Sequence, residues 1–365
     1  MAEHPFGNDS AKIEGYRRFW SRDPVDRPLI GFSLVGWFPL EHFSACRGWK
    51  VGSRVTLDMI QPAEWLDDQE RLLLEGERIA DDILRGACPT QVAFPAFLPA
   101  ALGCPVRVLP DTVLPEERKL GWEEALSATL DPANPWLARY LEFAEALVER
   151  SRGRFPVSHG AELGPVDLHA VLRGHNESIL DLIDEPERSA ELLELCGRIF
   201  TEFTEAVWSR LPLYHGGYFD AQYQLWAPGP IIRMQEDETA AYSPDLYRRL
   251  VQPVDRWIAS RFPCAFMHVH STSLHLLEAF LEIEEIRCFE VNIEPFNLPA
   301  AEMIPHLQAI QRAGRSLLVR GTLTEGELSL YLHSLDPAGL YLHLMVEEEA
   351  EVEALQRAAG MLWRP

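Results

Sequence analysis

The chain has no CxxC pair, no long apolar run and no basic cluster, and each absence removes a class of protein. Its six cysteines (46, 88, 104, 196, 264 and 288) are scattered, which argues against a disulfide framework and for free thiols in a reducing compartment. No stretch approaches the roughly eighteen apolar residues of a membrane span. The opening MAEHPFGNDSAKIEG is polar, without the charged-then-apolar order of a signal peptide, so a cytoplasmic location is expected. Lysine and arginine total 33 against 56 acidic residues, a net charge of −23, and no basic stretch exceeds a pair. Such a chain is a poor partner for nucleic acid or an anionic membrane, because phosphate binding rests on cationic neutralisation. GxGxxG, GxSxG, P-loop and HExxH motifs are all missing, so hydride and phosphoryl transfer lack their usual loops.

What is present is a 365-residue chain, 47% apolar, able to bury a full core. Period-2 and period-3.6 patterns predict strands over Pro28–Leu34, Gln91–Phe97, Phe155–Gly160, Gly216–Ala221, Ala265–His270, Cys288–Ile293, Ser316–Arg320 and Leu340–Met345. Helices are predicted over Pro62–Arg85, Trp136–Arg150, Pro186–Leu211, Pro244–Phe262, Ser273–Glu285, Pro299–Ala313, Glu325–Ser334 and Glu347–Ala359, with Cys104–Leu109 as an extra hairpin arm. Eight strands, most followed by a helix, imply an α/β fold: a (β/α)8 TIM barrel. It is expected as one domain over residues 1–365, with residues 1–27 and parts of 35–150 as an N-terminal elaboration.

Two runs carry the chemistry. In Cys264–His270 (CAFMHVH) and Cys288–Pro295 (CFEVNIEP), alternation along a strand puts His268 and His270 on one face, and Glu290, Asn292 and Glu294 likewise. The other faces are apolar. Polar groups where a core should be cost roughly 2–7 kcal/mol each unless partners or a ligand satisfy them, which marks the floor of a site. In barrels that site lies at the C-terminal strand ends. Polar residues expected there are His159 and Glu162, Asp220 and Gln222, Asn292 and Glu294, Arg320 and Thr322, and His343; the loop Gln235–Glu238 adds Asp237. Trp37, Phe38, Phe97, Tyr218, Tyr223 and Trp226 are expected to wall an apolar pocket. His268-x-His270 reads as a metal pair completed by Glu294, His343 or Asp220. HxH alone is a weak signal, and the pair also reads, more readily, as two imidazoles bonded to Glu290 and Glu294 with no metal. Glu290 suits a buried ion pair with Arg320 or a histidine, and Cys264 and Cys288 lie at the wrong strand ends for a nucleophile.

The order of segments resembles the uroporphyrinogen decarboxylase superfamily: GPVDLHAVLRGHNESILDLIDEPE (164–187), QEDETAAYSPDLYRRLVQPVDRWI (235–258), MHVHSTSLHLLEAFLEI (267–283), AGRSLLVRGTLT (313–324) and the closing Gly339–Glu348. The likeness covers most of residues 150–360 and only loosely the first 150. It implies a (β/α)8 barrel and two chemistries. The decarboxylases bind a polycarboxylate with N-terminal arginines, which PLIGFSLVGWFPLEHF lacks. The corrinoid methyltransferases hold zinc with a His-x-Cys pair and a later Cys; His268 matches the histidine, whereas His270 stands at the first cysteine position and the eighth strand offers His343 and no cysteine.

The expectation is therefore zinc-assisted methyl transfer or demethylation of a small molecule, with a corrinoid-carrying protein as partner and His268, His270 and His343 as metal ligands. Asp237, Glu294, Arg320 and His159 are the expected catalytic groups. Trp37, Phe97, Tyr218, Asp220, Gln222, Trp226 and Asn292 are expected to bind substrate. The alternatives are a metal-independent decarboxylase or lyase and a non-catalytic ligand-binding barrel.

Overall fold

The computed structural model describes residues 6–7, 10–34, 40–90, 94, 96–110, 112–294 and 298–360. In chain order the strands are β1 (Leu29–Ser33), β2 (Arg54–Val55), β3 (Val106–Val108), β4 (Val113–Pro115), β5 (Tyr218–Asp220), β6 (Leu225–Ala227), β7 (Ile231–Gln235), β8 (Cys264–Val269), β9 (Cys288–Ile293), β10 (Ser316–Gly321) and β11 (Leu340–Met345). Six of them form a central parallel sheet in the order β1-β11-β10-β9-β8-β7. The helices Gln252–Arg261, Leu277–Leu281, Ala300–Arg312, Glu325–Ser334 and Glu349–Ala358 follow its last five strands in turn. Parallel neighbours need such crossovers, and because these strands are adjacent in chain order the crossovers cover one face of the sheet.

Alternation divides each strand between two environments. Ala265, Met267, Val269, Phe289, Val291, Leu317, Val319, Leu342 and Leu344 pack outward into the layer shared with the helices. Each such side chain contributes about 1.5–3 kcal/mol by leaving water. Cys264, Phe266, Cys288, Leu318 and Tyr341 face inward into a second cluster. Further along the same inner face come His268, Glu290, Asn292, Arg320 and His343, all buried. The inner face thus changes from apolar to polar toward the C-terminal strand ends.

The N-terminal side of this inner face is plugged. The helix Ser10–Ser21 lies against the strand starts, where Ser316 Oγ donates to Phe19 O at 2.8 Å. It also docks on the β5–β6 hairpin: Trp20 Nε1 donates to Trp226 O at 2.8 Å and the Tyr16 hydroxyl to Gln224 O. Among the described residues this helix and hairpin cover the N-terminal side of the inner face.

Between the sheet edges β1 and β7 run two extended segments. Asp82 N donates to Ile30 O at 3.1 Å and Phe32 N to Asp81 Oδ2 at 3.0 Å, tying the first segment to β1. Ala87 and Val157 form a single parallel bridge. Arg233 then donates to Glu162 O at 2.9 Å, bringing the second segment to β7.

The expected order needs two corrections, while the expected hairpin arm is found. Gly216–Ala221 is not a sheet strand; β5 turns back into an antiparallel hairpin with β6, and the sheet strand is β7, which the pattern missed. Gln91–Phe97 falls partly outside the described residues, and Phe97 itself begins the helical turn Phe97–Ala101. The expected arm at Cys104–Leu109 belongs to a three-stranded antiparallel sheet, β2-β3-β4. Among the described residues the central parallel sheet has six strands. No helix among the described residues is long and apolar enough to cross a membrane.

Gly164 marks how closely the second segment approaches β7. Its backbone is ordinary (φ −74°), yet a methyl there would overlap the Gln235 carbonyl oxygen. Gly164→Ala should therefore destabilise the protein by about 1–3 kcal/mol in urea unfolding. Gly121→Ala (φ −66°, open space around the added carbon) should cost less than about 1 kcal/mol. Equal effects would contradict the packing described.

Candidate functional site

Four side chains from two neighbouring strands make the centre of the site. His268 and Glu290 face each other in the β8–β9 register, and His270 and Glu294 follow beyond the strand ends. Glu290 Oε2 is bonded to His268 Nδ1, and the Tyr223 hydroxyl lies 2.8 Å from the same nitrogen. His270 Nδ1 is 2.7 Å from Glu294 Oε1. Both opposite nitrogens then meet, with His268 Nε2 2.9 Å from His270 Nε2. Asp237 Oδ1 lies 3.5 Å from His270 Nε2.

Asp237 arrives from the loop after β7, and neighbours fix that loop. Glu236 accepts from Val166 N at 2.8 Å, Glu238 N donates to Asp167 at 3.1 Å, and His175 Nδ1 is 2.6 Å from Glu238. Gln235 donates to Asp237 Oδ2, and Arg233 donates to Gln235 from below. Tyr223 comes from the hairpin: Asp220 Oδ1 accepts from Tyr223 N at 2.9 Å, and the following Gln224 takes a left-handed conformation (φ 49°) that turns the chain into β6.

Burial sets the charge states. Desolvation, reinforced by the charge of His270, pushes the His268 pKa well below that of an ordinary imidazole, so its neutral form is favoured. For His270, burial acts downward too, but the bond to Glu294 and the charge of Asp237 prevail and raise it to about 9. Desolvation lifts Glu290 to about 8 against the opposing charge of Arg320. The donor atoms of Asp237, His268 and His270 lie within 4.8 Å of one another, close enough to share one metal ion. Their chemistry fits: one carboxylate oxygen and two Nε2 atoms, with each Nδ1 held by a carboxylate.

The remaining expected residues divide. His343 does not join that group; its Nε2 is 2.8 Å from Ser33 Oγ and its ring stacks on Tyr341. Asn292 and Arg320 stand beside it on the inner face. Gln222 donates to the Tyr223 hydroxyl at 3.3 Å, whereas Asp220 acts as the cap of that turn. His159 is turned toward Gly160 O and the edge of Trp208. Thr322 bonds Met345 O. Trp226 belongs to the plug, where its indole donates to Tyr214 O at 2.8 Å, and Tyr218 packs on Trp208. Phe97 sits in an aromatic cluster with Phe94, Trp136 and Tyr140. All three are engaged in contacts within the fold. Trp37 and Phe38 lie outside the described residues.

No protein-family model and no curated protein matches the chain. Among solved structures it is similar to a methyltransferase from Methanosarcina mazei, with a TM-score of 0.65 and 14% sequence identity over 98% of this chain and 100% of the other. At that identity the likeness concerns the fold.

Glu162 supplies a pH test apart from the histidines. One oxygen accepts from Leu98 N at 3.0 Å, the other has no partner among the described residues, and burial raises the carboxyl to about 8. A carboxyl raised on folding stabilises fully below its unfolded value near 4.5 and loses that contribution as pH rises through about 8. Wild-type stability should therefore fall between pH 6 and 9 by an amount on the order of 3 kcal/mol from this group. Glu162→Gln should flatten the decline in a series of thermal melts, and an unchanged slope would contradict the assignment.

Proposed function

We propose that the protein is a metal-assisted, methyltransferase-type enzyme acting on a small molecule, with zinc held by His268, His270 and Asp237. The observation that carries this reading is the paired Nε2 geometry. Two imidazoles turn the same nitrogen toward one point while Glu290 and Glu294 hold the other, the arrangement by which carboxylates orient imidazoles for a metal. The shared fold with a methyltransferase and the resemblance to the uroporphyrinogen decarboxylase superfamily support the reaction class, and favour closure of the sheet into a (β/α)8 barrel through the segments at Ala87 and Val157.

When bound, zinc would supply a Lewis acid that lowers the pKa of a coordinated thiol or other nucleophile. The residues of the chain do the rest. Glu290 and Tyr223 hold His268 in one tautomer, and Glu294 does the same for His270. Asp237 contributes negative charge at the mouth, steadied by Gln235. The plugged N-terminal side keeps water from entering from below. A corrinoid-carrying protein is the partner this reading implies as methyl donor, approaching the open C-terminal side.

One observation favours a second reading, acid–base decarboxylation without metal. His270, held up to about 9 between Glu294 and Asp237, is a protonated imidazole suited to a general acid.

Elemental analysis of protein purified without added metal or chelator separates the two. One equivalent of zinc is expected in the wild type and none in His268→Ala/His270→Ala. Glu290→Gln should weaken zinc binding by about 10–100-fold in a competition titration against a chromogenic chelator. No zinc in the wild type, even after zinc is supplied, would overturn the metal reading.

A further inference from the structure

We propose that Arg320, Asn292 and His343 form a recognition subsite for a carboxylate group of the substrate, beside the paired histidines. The proposal rests on the reading above only in placing the reacting end of that substrate at His268 and His270.

The three residues occupy one level of the inner face. Arg320 is in direct register with Asn292 on one side and with His343 on the other. Continuing the pairs His268–Glu290 and Val269–Val291 by one residue puts His270 on the same level, next to Asn292. Four polar side chains from four adjacent strands thus form a continuous band. Neighbouring strands lie about 4.8 Å apart, so Arg320 and His270 are about 10 Å apart at the backbone. That distance is within the span of a small bifunctional molecule.

Each of the three is at most 4% exposed, and two have uncommitted polar atoms. The Asn292 carbonyl oxygen and His343 Nδ1 have no hydrogen-bond partner among the described residues. Buried polar groups are ordinarily satisfied, and a pair of exceptions on one level of a site calls for a ligand. His343 Nε2 lies 2.8 Å from Ser33 Oγ, and a bound carboxylate would select the tautomer in which that hydroxyl donates to Nε2 and Nδ1–H is the free donor. The Asn292 amide can turn over to present its NH2. Arg320 lies 5.3 Å over the Tyr223 ring, which keeps the guanidinium plane fixed. A planar fork flanked by two neutral donors suits a carboxylate, which takes paired N–H bonds. The acidic mouth at Asp237 and Glu294 admits a single negative charge more readily than several, so the fitting substrate is a small monocarboxylate.

The test compares 3-mercaptopropionate with the neutral 3-mercapto-1-propanol, by calorimetry on the zinc-loaded protein and by ligand-observed NMR on the metal-free protein. The wild type should prefer the carboxylate at least tenfold. Arg320→Gln should reduce the preference to about one while keeping the zinc content, Arg320→Lys should restore part of it, and Asn292→Ala should weaken it less. A wild type that takes up no zinc but keeps the carboxylate preference, lost in Arg320→Gln, would overturn the metal reading and leave the subsite standing. Equal binding of the two probes by the wild type, or a preference unchanged in Arg320→Gln, would overturn the subsite.

Discussion

The imidazoles of His268 and His270 meet because each is held from behind by a carboxylate one strand away, and most of the inner structure serves that contact. Two strands with matching periods, imidazoles on one and carboxylates on the other, suffice to make it once they pair in register. A one-residue slip of either strand would turn that strand's two groups to the apolar layer, away from their partners. The polar band therefore specifies the β8–β9 register as strongly as the outer hydrophobic face does. Tyr223 adds a third contact from the hairpin, and the hairpin in turn needs the first helix to hold it in place.

Much of this was legible in the chain. His268-x-His270 and Glu290-x-Asn292-x-Glu294 stand out because strand periodicity is 2 and every second residue is polar in runs otherwise apolar. The last four strands were placed within a residue or so for the same reason. What failed was irregular. Ile231–Gln235 carries an arginine and a glutamine in five residues and follows Pro228-Gly229-Pro230, so it looked like a loop, while Gly216–Ala221 looked like the strand. The reversal at Gln224 uses a left-handed residue that is not glycine, which no turn pattern announces. Asp237, rather than His343, reaches the histidines because bonds from Val166, Asp167 and His175 shape its loop, and such contacts leave no periodic signal.

The same irregular parts explain why aromatic residues misled. Trp226, Tyr218 and Phe97 sit near predicted strand ends in the sequence, but a hairpin and a helical turn carry them into packing positions. Aromatics are the largest apolar side chains and fill plugs and cores by default. Polar residues on an inner face are better guides to a site because burying them without a partner is unfavourable. A fold shared with a methyltransferase fixes neither a reaction nor a residue, since one fold hosts many chemistries.

The edge pairing has a consequence for how the molecule assembles. β1 bonds only β11 within the described sheet, so its partner is the sheet strand farthest from it along the chain. The strands that carry His268, Asn292 and Arg320 are consecutive and join through short crossovers, so they can associate while the chain is still being made. Closing the ends requires the longest loop and comes late. The inner polar layer can therefore take shape before its final wall, which forms only when β1 and β11 meet.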